Sequence, residues 1–388
     1  MNVPLVVDGR AACPVTIHTV NSRADLRDFI ELPWSIYRGN PHWVPPLRSE
    51  MAKLLDRRRN AYFAESSAEY FLARGPDGTV QGRIAATRFA RHLEIYDDAT
   101  GFCGFFECVD APAVASALFE AAGAWLRAQG LRRMRGPASF TINDEVGVLI
   151  AGHDRPPAVM MQYNPPYYQG LFEFCGFRKA HDLFAYEITA GEQRTDVLGR
   201  IARLMAKRND FTVRSVVLSR FAEETVIFER IFADAWHENW GAVPLREGEF
   251  RQAAEGLKSF MVPELILIGE RQGRPVGILF ALPDLNQALR QANGRLFPFG
   301  LLKMLWARRR IRHARVVLLG IEKDCRRLGL EAVLLHHLEQ TLVGLGYESA
   351  EFSWILESNA EMNTLLPRLG ARRTKTYRIY DRDLEVAQ

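Results

Sequence analysis

The sequence predicts an α/β protein built from two tandem copies of one module, each a mixed β-sheet flanked by helices. Two internal matches carry this reading. Leu171-Phe-Glu-Phe-Cys-Gly176-Phe-Arg178-Lys179, followed by Tyr186, recurs as Leu365-Leu-Pro-Arg-Leu-Gly370-Ala-Arg372-Arg373, followed by Tyr380, a shift of 194 residues from 176 to 370. Glu69-Tyr-Phe-Leu-Ala, with Asp77-Gly78 and Gly82 behind it, recurs as Glu264-Leu-Ile-Leu-Ile with Gln272-Gly273 and Gly277, a shift of 195 from 69 to 264. Anchors roughly a hundred residues apart that move by nearly the same amount mark a duplication. The length of 388 residues also exceeds what one small core organises. The expected halves are 1–192 and 193–388.

Residues 22–59 read as mostly helical, kinked at the aromatic and proline-rich stretch Trp34 to Pro46. A hairpin follows, Ala68 to Ala73 and Val80 to Phe89, with its turn at Asp77-Gly78. Next come a strand ending in Gly104-Phe-Phe-Glu107 and a helix from about Pro112 to Gln129, stopped by Gly130. A strand from Arg132 to Ala138, a loop with a short helix over 140–170, and a last helix and strand ending at Tyr186 complete the first copy. The polar, unpatterned segment 188–196 is the expected linker. The second copy repeats the order: helices at 195–207 and 221–256, a hairpin at 263–282 turning at Gln272-Gly273, and a strand at 315–322. A helix from Glu331 to Leu345, a strand at 349–355, a helix at 360–369 and a strand at 374–381 close it.

Composition narrows the function classes. Hydrophobic, aromatic and charged fractions of 48%, 11% and 25% are those of an ordinary globular chain, and a net charge of +4 does not argue for nucleic acid. Five scattered cysteines, with no CxxC pair, suggest reduced thiols in the cytosol rather than a disulfide framework or a zinc site. Asp8 and Arg10 interrupt any signal-peptide core, and no apolar run reaches the roughly 18 residues needed to cross a bilayer. His181 and His237 lack a third ligand at metal spacing, so no metal is expected.

The second copy carries an anion-binding pattern. A buried strand, Val317-Leu-Leu-Gly-Ile321, leads through Cys325-Arg326-Arg327-Leu328-Gly329-Leu330-Glu331-Ala332 into a helix. Backbone N–H groups of such a turn and helix start can cradle a diphosphate. The element order resembles the GNAT acyltransferase fold, and the loop resembles the GNAT pyrophosphate motif Gln/Arg-x-x-Gly-x-Gly/Ala. Arg326 and Gly329 match; Glu331 stands where a small residue is usual, and a carboxylate there would repel phosphate unless it points away. The resemblance implies acyl-CoA as co-substrate, with no tightly bound cofactor. It is expected on Leu319, Gly320, Ile321, Arg326, Arg327, Leu328, Gly329, Leu330 and Ala332. Asn359 is either a contact to the pantetheine arm or the cap of the following helix. The equivalent first loop, Glu107-Cys-Val-Asp110-Ala-Pro112, has two acids and no glycine. The first copy is therefore read as degenerate for CoA and assigned to the acceptor.

The whole chain resembles a bacterial group of double-GNAT proteins with which ceramide synthase activity is associated. The matching blocks include Asn40-Pro-His-Trp43-Val-Pro-Pro46, Gly104-Phe-Phe-Glu107, Asn143-Asp144-Glu145, Tyr163-Asn164-Pro-Pro-Tyr167-Tyr168, Trp236-His-Glu-Asn239-Trp240 and Ser353-Trp354-Ile-Leu-Glu357-Ser-Asn359. The resemblance implies transfer of a long acyl chain to the amine of a sphingoid-base-like lipid. That reaction needs a neutral amine, a polarised carbonyl and an exit for the thiolate. Catalytic candidates are Glu107, Asn143, Asp144, Glu145, Glu357 and Tyr380. Each has a plainer alternative: Glu107 balanced by an arginine such as Arg135, Asn143 to Glu145 as cap and first-turn acids of a short helix, Glu357 with Asn359 at the cap of the following helix, and Tyr380 as a core tyrosine. Tyr377 and Tyr380 are expected on the same side of the last strand.

Residues 293–313 have no counterpart in the first copy. Phe297, Phe299, Leu301, Leu302, Leu305 and Trp306 precede Arg308-Arg309-Arg310 and Arg312. This pattern is either an interfacial helix on an anionic leaflet or an amphipathic lid packed on the protein with solvated arginines. The expectation is a cytoplasmic protein touching the inner membrane face, with no nucleic-acid partner. Two rival readings are another amine acceptor, Fem-type aminoacyl or small amine, and a non-catalytic acyl-CoA or lipid-binding protein.

Overall fold

The computed structural model describes residues 15–142, 144–189, 195–236, 239–244 and 248–384. The strands are β1 Thr16–Thr19, β2 Ser67–Arg74, β3 Val80–Arg88, β4 Thr100–Cys108, β5 Arg133–Gly136, β6 Val148–Ala151, β7 Arg178–Thr189, β8 Phe211–Ser215, β9 Ile266–Arg271, β10 Arg274–Pro283, β11 His313–Ile321, β12 Ser349–Leu356 and β13 Arg372–Asp383. The α-helices are α1 Arg23–Ile36, α2 Arg48–Leu54, α3 Ala90–Tyr96, α4 Pro112–Ala128, α5 Tyr168–Phe174, α6 Thr195–Asn209, α7 Phe221–Trp236, α8 Glu249–Leu257, α9 Asn286–Ala292, α10 Gly300–Arg308, α11 Leu330–Gly344 and α12 Ala360–Arg368.

The chain divides into two compact units. One comprises Met1–Leu183, Leu289–Met304 and Lys375–Gln388, the other Phe184–Ala288 and Leu305–Thr374. The repeat halves 1–192 and 193–388 are units of sequence; the compact units interleave along the chain. The expected linker 188–196 lies mostly outside the described residues.

In the first unit β1, β2, β3 and β4 form an antiparallel run and β5 joins β4 in parallel. The last strand of the chain completes this sheet: β13 pairs with β5, Tyr380 opposite Gly136, and with β6, Tyr377 opposite Leu149. Helix α1 starts at a capping box, Ser22 Oγ accepting from Asp25 N at 3.0 Å and Asp25 Oδ2 from Ser22 N at 3.1 Å. Helix α4 buries Val114, Leu118, Phe119 and Leu126 against the sheet, with Phe106, Phe172 and Tyr380 in the same core.

In the second unit β12, β11, β10, β9 and β8 follow one another, with only β11 and β12 parallel. The hairpin of β9 and β10 turns at Gln272 (φ 51°) and Gly273 (φ 74°), both left-handed as a tight hairpin turn requires. Leu330, Leu334 and Leu338 of α11 are buried against the sheet.

Three expectations are corrected. No helix follows Glu145; residues 148–151 form β6 instead, because Val148 and Leu149 are buried in a pairing with β13. The helix expected over 221–256 ends at Trp236 and resumes at Glu249. Tyr377 and Tyr380 do not share a side: an odd separation places them on opposite faces of a strand, and it is Arg378 that lies with Tyr380, 6.0 Å above its ring. Strands β1, β6 and β8 and helices α3 and α9 were not anticipated; β1 and β8 are short edge strands with weak alternation.

Candidate active site

In the first unit the acids are arranged by the end of β4. Two residues of β4, Phe105 and Phe106, oppose the single residue Ile84 of β3, so the strand bulges. Phe105 takes φ 49° there, a conformation uncommon for an aromatic residue. Beyond the bulge Glu107 pairs across the ladder with Arg83. Tyr168, the first residue of α5, donates to Glu107 Oε2 at 2.6 Å and accepts from Cys108 N at 2.9 Å. Tyr37, at the end of α1 and stacked on Trp43 at 4.7 Å, lies 3.0 Å from both Glu107 Oε2 and the Tyr163 carbonyl. Its single hydrogen serves one of them at a time. Arg83 Nη2 is 3.7 Å from Glu107 Oε1 and Nη1 donates to the Phe29 carbonyl, while the buried Nε has no partner among the described residues. Burial raises the Glu107 pKa, opposed first by Arg83 and then by the two tyrosines.

Arg135 is not the balancing cation weighed for Glu107. It makes a two-pronged ion pair with Asp381, both contacts at 2.8 Å, because Asp381 is its partner across β5 and β13. Arg83 holds that place instead.

The loop after β5 carries the acidic cluster. Asn143 lies outside the described residues. Asp144 Oδ2 accepts from Thr141 N at 3.0 Å and Thr141 Oγ1 at 2.7 Å, closing a turn. Glu145 is fastened by its backbone, Ser139 N donating to its carbonyl at 2.9 Å, and its carboxylate has no hydrogen-bond partner among the described residues. Both side chains reach solvent but are hemmed by dense protein, so their charged forms are poorly hydrated. This pushes Asp144 up to about 6. Glu145 rises to about 7, through poor hydration first and the charge of Glu107 second.

Tyr380 is 1% exposed in the first unit's core, stacked on Phe172 at 5.3 Å with its hydroxyl 3.2 Å from Glu173 Oε1. The structure does not bring it to Glu107 or Glu145 through any hydrogen bond of the described residues.

The second unit presents a different arrangement. Parallel pairing of β11 with β12 covers only His313 to Val316 opposite Ser349 to Phe352. Val317 is the bulge residue against β10, and past it the strands diverge. Arg315, 2% exposed, stands at the fork: Nε donates to Ser353 Oγ at 3.0 Å and Nη2 to the Ser353 carbonyl at 2.9 Å. Val317, Leu318 and Leu319 of β11 and Trp354, Ile355 and Leu356 of β12 are only half-buried in consequence. Trp354 Nε1 is buried without a partner among the described residues. Gly320 lets the Trp236 ring lie on its backbone; a Cβ there would meet that ring.

The loop after β11 is pinned before it reaches the helix. Glu322 pairs with Arg230 and, at 2.7 Å, with Arg274; Lys323 N donates to Asp234 Oδ2 at 2.8 Å. Arg326 donates to the carbonyls of Ile321 at 3.3 Å and Ala235 at 3.1 Å, so its side chain shapes the loop. Arg327 projects into solvent, 87% exposed. Gly329 has φ 88°, and a Cβ there would stand 2.5 Å from Met205 Cγ. Leu330 and Ala332 are buried; Leu330 is seated on the Cβ-less faces of Gly269 and Gly277, while Glu331 is half-buried. The first-turn N–H groups of α11 thus face outward from a fixed start. Asn359 caps α12, its side chain accepting from Met362 N at 3.1 Å. Glu357 lies just past β12, its carbonyl receiving Asn363 Nδ2 at 3.2 Å.

A split strand pair, an orphaned indole donor and a glycine-started helix together suit an extended thioester with a diphosphate. No family model matches the sequence. The bacterial ceramide synthase of Caulobacter vibrioides is 34% identical over 381 residues, covering 95% of this chain and 98% of that one. This chain belongs to the bacterial ceramide synthase-like family of tandem GNAT acyltransferases. Protein YghO of Escherichia coli strain K12 is 36% identical over 377 residues, 95% of each chain. Two solved structures share the fold. They are a GCN5-related N-acetyltransferase from Sphaerobacter thermophilus (TM-score 0.54, 12% identity, 96% and 97% of the chains) and a tandem GNAT protein from the clavulanic acid biosynthesis pathway (TM-score 0.55, 11% identity, 96% and 100%).

As a member of the ceramide synthase-like family the protein is an N-acyltransferase with acyl-CoA as co-substrate. No helix among the described residues is long and apolar enough to cross a membrane. Sequence reasoning missed Arg83, Tyr37 and Tyr168. Arg83 had a signal, a lone cation in the otherwise small and apolar run Gly82-Arg83-Ile84-Ala-Ala. Tyr37 and Tyr168 sit in quoted aromatic blocks, and only the fold shows that both point at one carboxylate.

Proposed function

We propose that the protein acylates the primary amine of a sphingoid base with a long acyl chain, as a bacterial ceramide synthase. The exposed surface of 297–306 carries this reading. Phe297 is 83% exposed, Phe299 65%, Leu302 64% and Trp306 60%, with Arg310 3.7 Å over the Trp306 ring. Apolar side chains of this size next to arginines suit contact with an anionic lipid surface, from which both long-chain substrates would come. The start of this segment is anchored: Trp34 Nε1 donates to Asn293 Oδ1 at 3.3 Å and Arg48 N to the Gly294 carbonyl at 3.1 Å. The protein would work in the cytoplasm, against the inner membrane face. The 34% identity to the Caulobacter enzyme over 95% of the chain supports the same acceptor.

In this mechanism Leu319 to Ile321 line the thioester, and the helix start from Arg326 to Ala332 takes the diphosphate, with Arg327, now 3.4 Å from Glu361 Oε1, exposed beside it. Asn359 holds the α12 start beside that site, and Glu357 stands at its acceptor end. A base removes a proton from the ammonium; the neutral nitrogen attacks the thioester carbon, the C–N bond forms, the C–S bond breaks, and the second N–H proton passes to the departing thiolate. The thiolate, with a reference pKa of about 8.5, leaves without needing a strong acid. Tyr380 is not required for that step, its hydroxyl being engaged by Glu173.

Mass spectrometry of the protein incubated with a long-chain acyl-CoA and 3-ketosphinganine or sphinganine should give N-acyl product and free CoA in equal amounts. Flotation with phosphatidylglycerol-containing vesicles should carry the protein upward, and Leu302→Asp with Trp306→Ala should reduce both flotation and turnover. Absence of product from either base, with acyl-CoA still bound, would exclude a sphingoid acceptor.

A further inference from the structure

Helix α6 is apolar on two faces, and the second unit covers one of them. Inward, Leu198 and Ala202 are buried where α6 lies along α11, Leu198 within the core that also holds Leu334 and Leu338. The two helices pack closely. A Cβ on Gly199 would stand 3.0 Å from His336 Cε1, a Cβ on Gly329 would stand 2.5 Å from Met205 Cγ, and Asn209 Nδ2 donates to the Leu328 carbonyl at 2.9 Å. They therefore run antiparallel, and the last turn of α6 abuts the glycine start of α11. Outward, Val197, Ile201 and Leu204 are 45%, 44% and 60% exposed. Spacings of four and three residues put them in one row along the helix. Arg208, about three turns on from Val197, ends that row. Arg200, Arg203 and Lys207 are exposed beside it, and none of the described side chains of α6 is acidic. A helix apolar all round belongs inside a core; this one has a core on one side and, on the other, an apolar row edged by cations.

We propose that the outer face of α6 is a lipid-contact surface, its apolar row entering the headgroup boundary of an anionic leaflet while its cations meet the lipid phosphates. Such a face needs both components: apolar area holds it in the boundary, and Lys and Arg beside that area draw it to negative headgroups. A second copy of the chain is a poorer occupant. Two-fold pairing sets a face against itself, so the cations of one copy would meet those of the other. The position of α6 gives the contact a consequence within the second unit. Because α6 ends against the start of α11, which takes the diphosphate in the proposed mechanism, a leaflet held at α6 lies next to the loop that must receive a long-chain acyl-CoA from it. This surface is separate from 297–306 in the chain, and it holds for any amine acceptor.

The test is flotation of the full chain with vesicles of equal parts phosphatidylglycerol and phosphatidylcholine, beside vesicles of phosphatidylcholine alone. The wild type should float with the anionic vesicles. Ile201→Asp with Leu204→Asp should weaken that partition about tenfold or more with 297–306 intact. Its mass by light scattering, its unfolding midpoint and its acyl-CoA affinity without vesicles should match the wild type. Lys207→Gln with Arg208→Gln should weaken partition to the anionic vesicles about tenfold or more, and leave partition to phosphatidylcholine unchanged. High salt should remove most of that difference. A wild type that does not float, or partition indifferent to Ile201→Asp with Leu204→Asp, would overturn the proposal. So would a lower mass in that variant with flotation unchanged, which makes the row a contact between copies. A large fall in its unfolding midpoint would also overturn it, by making the row part of the packed interior. The acceptor reading fails separately: absence of N-acyl product from either sphingoid base, with flotation still dependent on α6, would remove the acceptor and leave the lipid surface standing.

Discussion

The two forks between parallel strands, β4 with β5 and β11 with β12, begin alike and end differently. Each pair is joined over a few residues, Thr100 to Phe102 opposite Arg133 to Arg135 and His313 to Val316 opposite Ser349 to Phe352, and each first strand then bulges. In the second unit the fork stays open, with Arg315 at its base and half-buried apolar side chains along both arms. In the first unit the chain itself closes it. Ala138 N donates to the Cys103 carbonyl at 2.7 Å, and Gly104 and Gly136 have no Cβ because the opposing backbone occupies that space. The helix starts differ in the same sense. Helix α11 begins at a left-handed glycine, whereas α4 begins with Pro112, which has no N–H, behind Asp110. A duplicated fold can therefore keep its framework in both copies while a few backbone contacts decide whether the fork stays open.

This contrast can be broken most severely at its glycines. Gly104→Ala drives a methyl into the backbone of Ala138 and Ser139 and should cost about 3 kcal/mol in denaturant unfolding. Gly320→Ala meets only the Trp236 ring, which can move, and should cost about 1 kcal/mol. Equal losses would show that the first fork is no tighter than the second. The next effect concerns ligand rather than stability. Gly329→Val imposes backbone strain of about 1–3 kcal/mol and a clash with Met205, so acyl-CoA affinity by calorimetry should fall about 30-fold or more while the circular dichroism spectrum is retained. The smallest effect sharpens the comparison by being absent. Asp110→Asn in the first loop should leave acyl-CoA affinity within about twofold; a change above fivefold would mean that this loop also meets the diphosphate.

The legible part of the site followed from local chemistry. Gly329 before an apolar helix announced a glycine-started helix, and Asp144 and Glu145 stood out as acids among apolar neighbours. The surroundings of Glu107 were illegible, because its partners lie far away in sequence. Arg83 and Tyr168 are 24 and 61 residues from Glu107 and reach it only through the pairing of β3 with β4 and the placement of α5.

The sequence by itself determined the repeat, the type of most elements and the glycine start of α11, since periodicity, glycine turns and helix caps act over a few residues. Only the tertiary structure decided the partner of each strand. Residues 372–383 read as the end of the second repeat, yet Tyr380 to Asp383 pair with Arg133 to Gly136. Residues 148–151 form a strand because β13 is there to receive them. Alternation marks a strand and its buried face but carries no name for the neighbour it will meet, and that choice, made by non-local packing, also fixed the partners that hold Glu107.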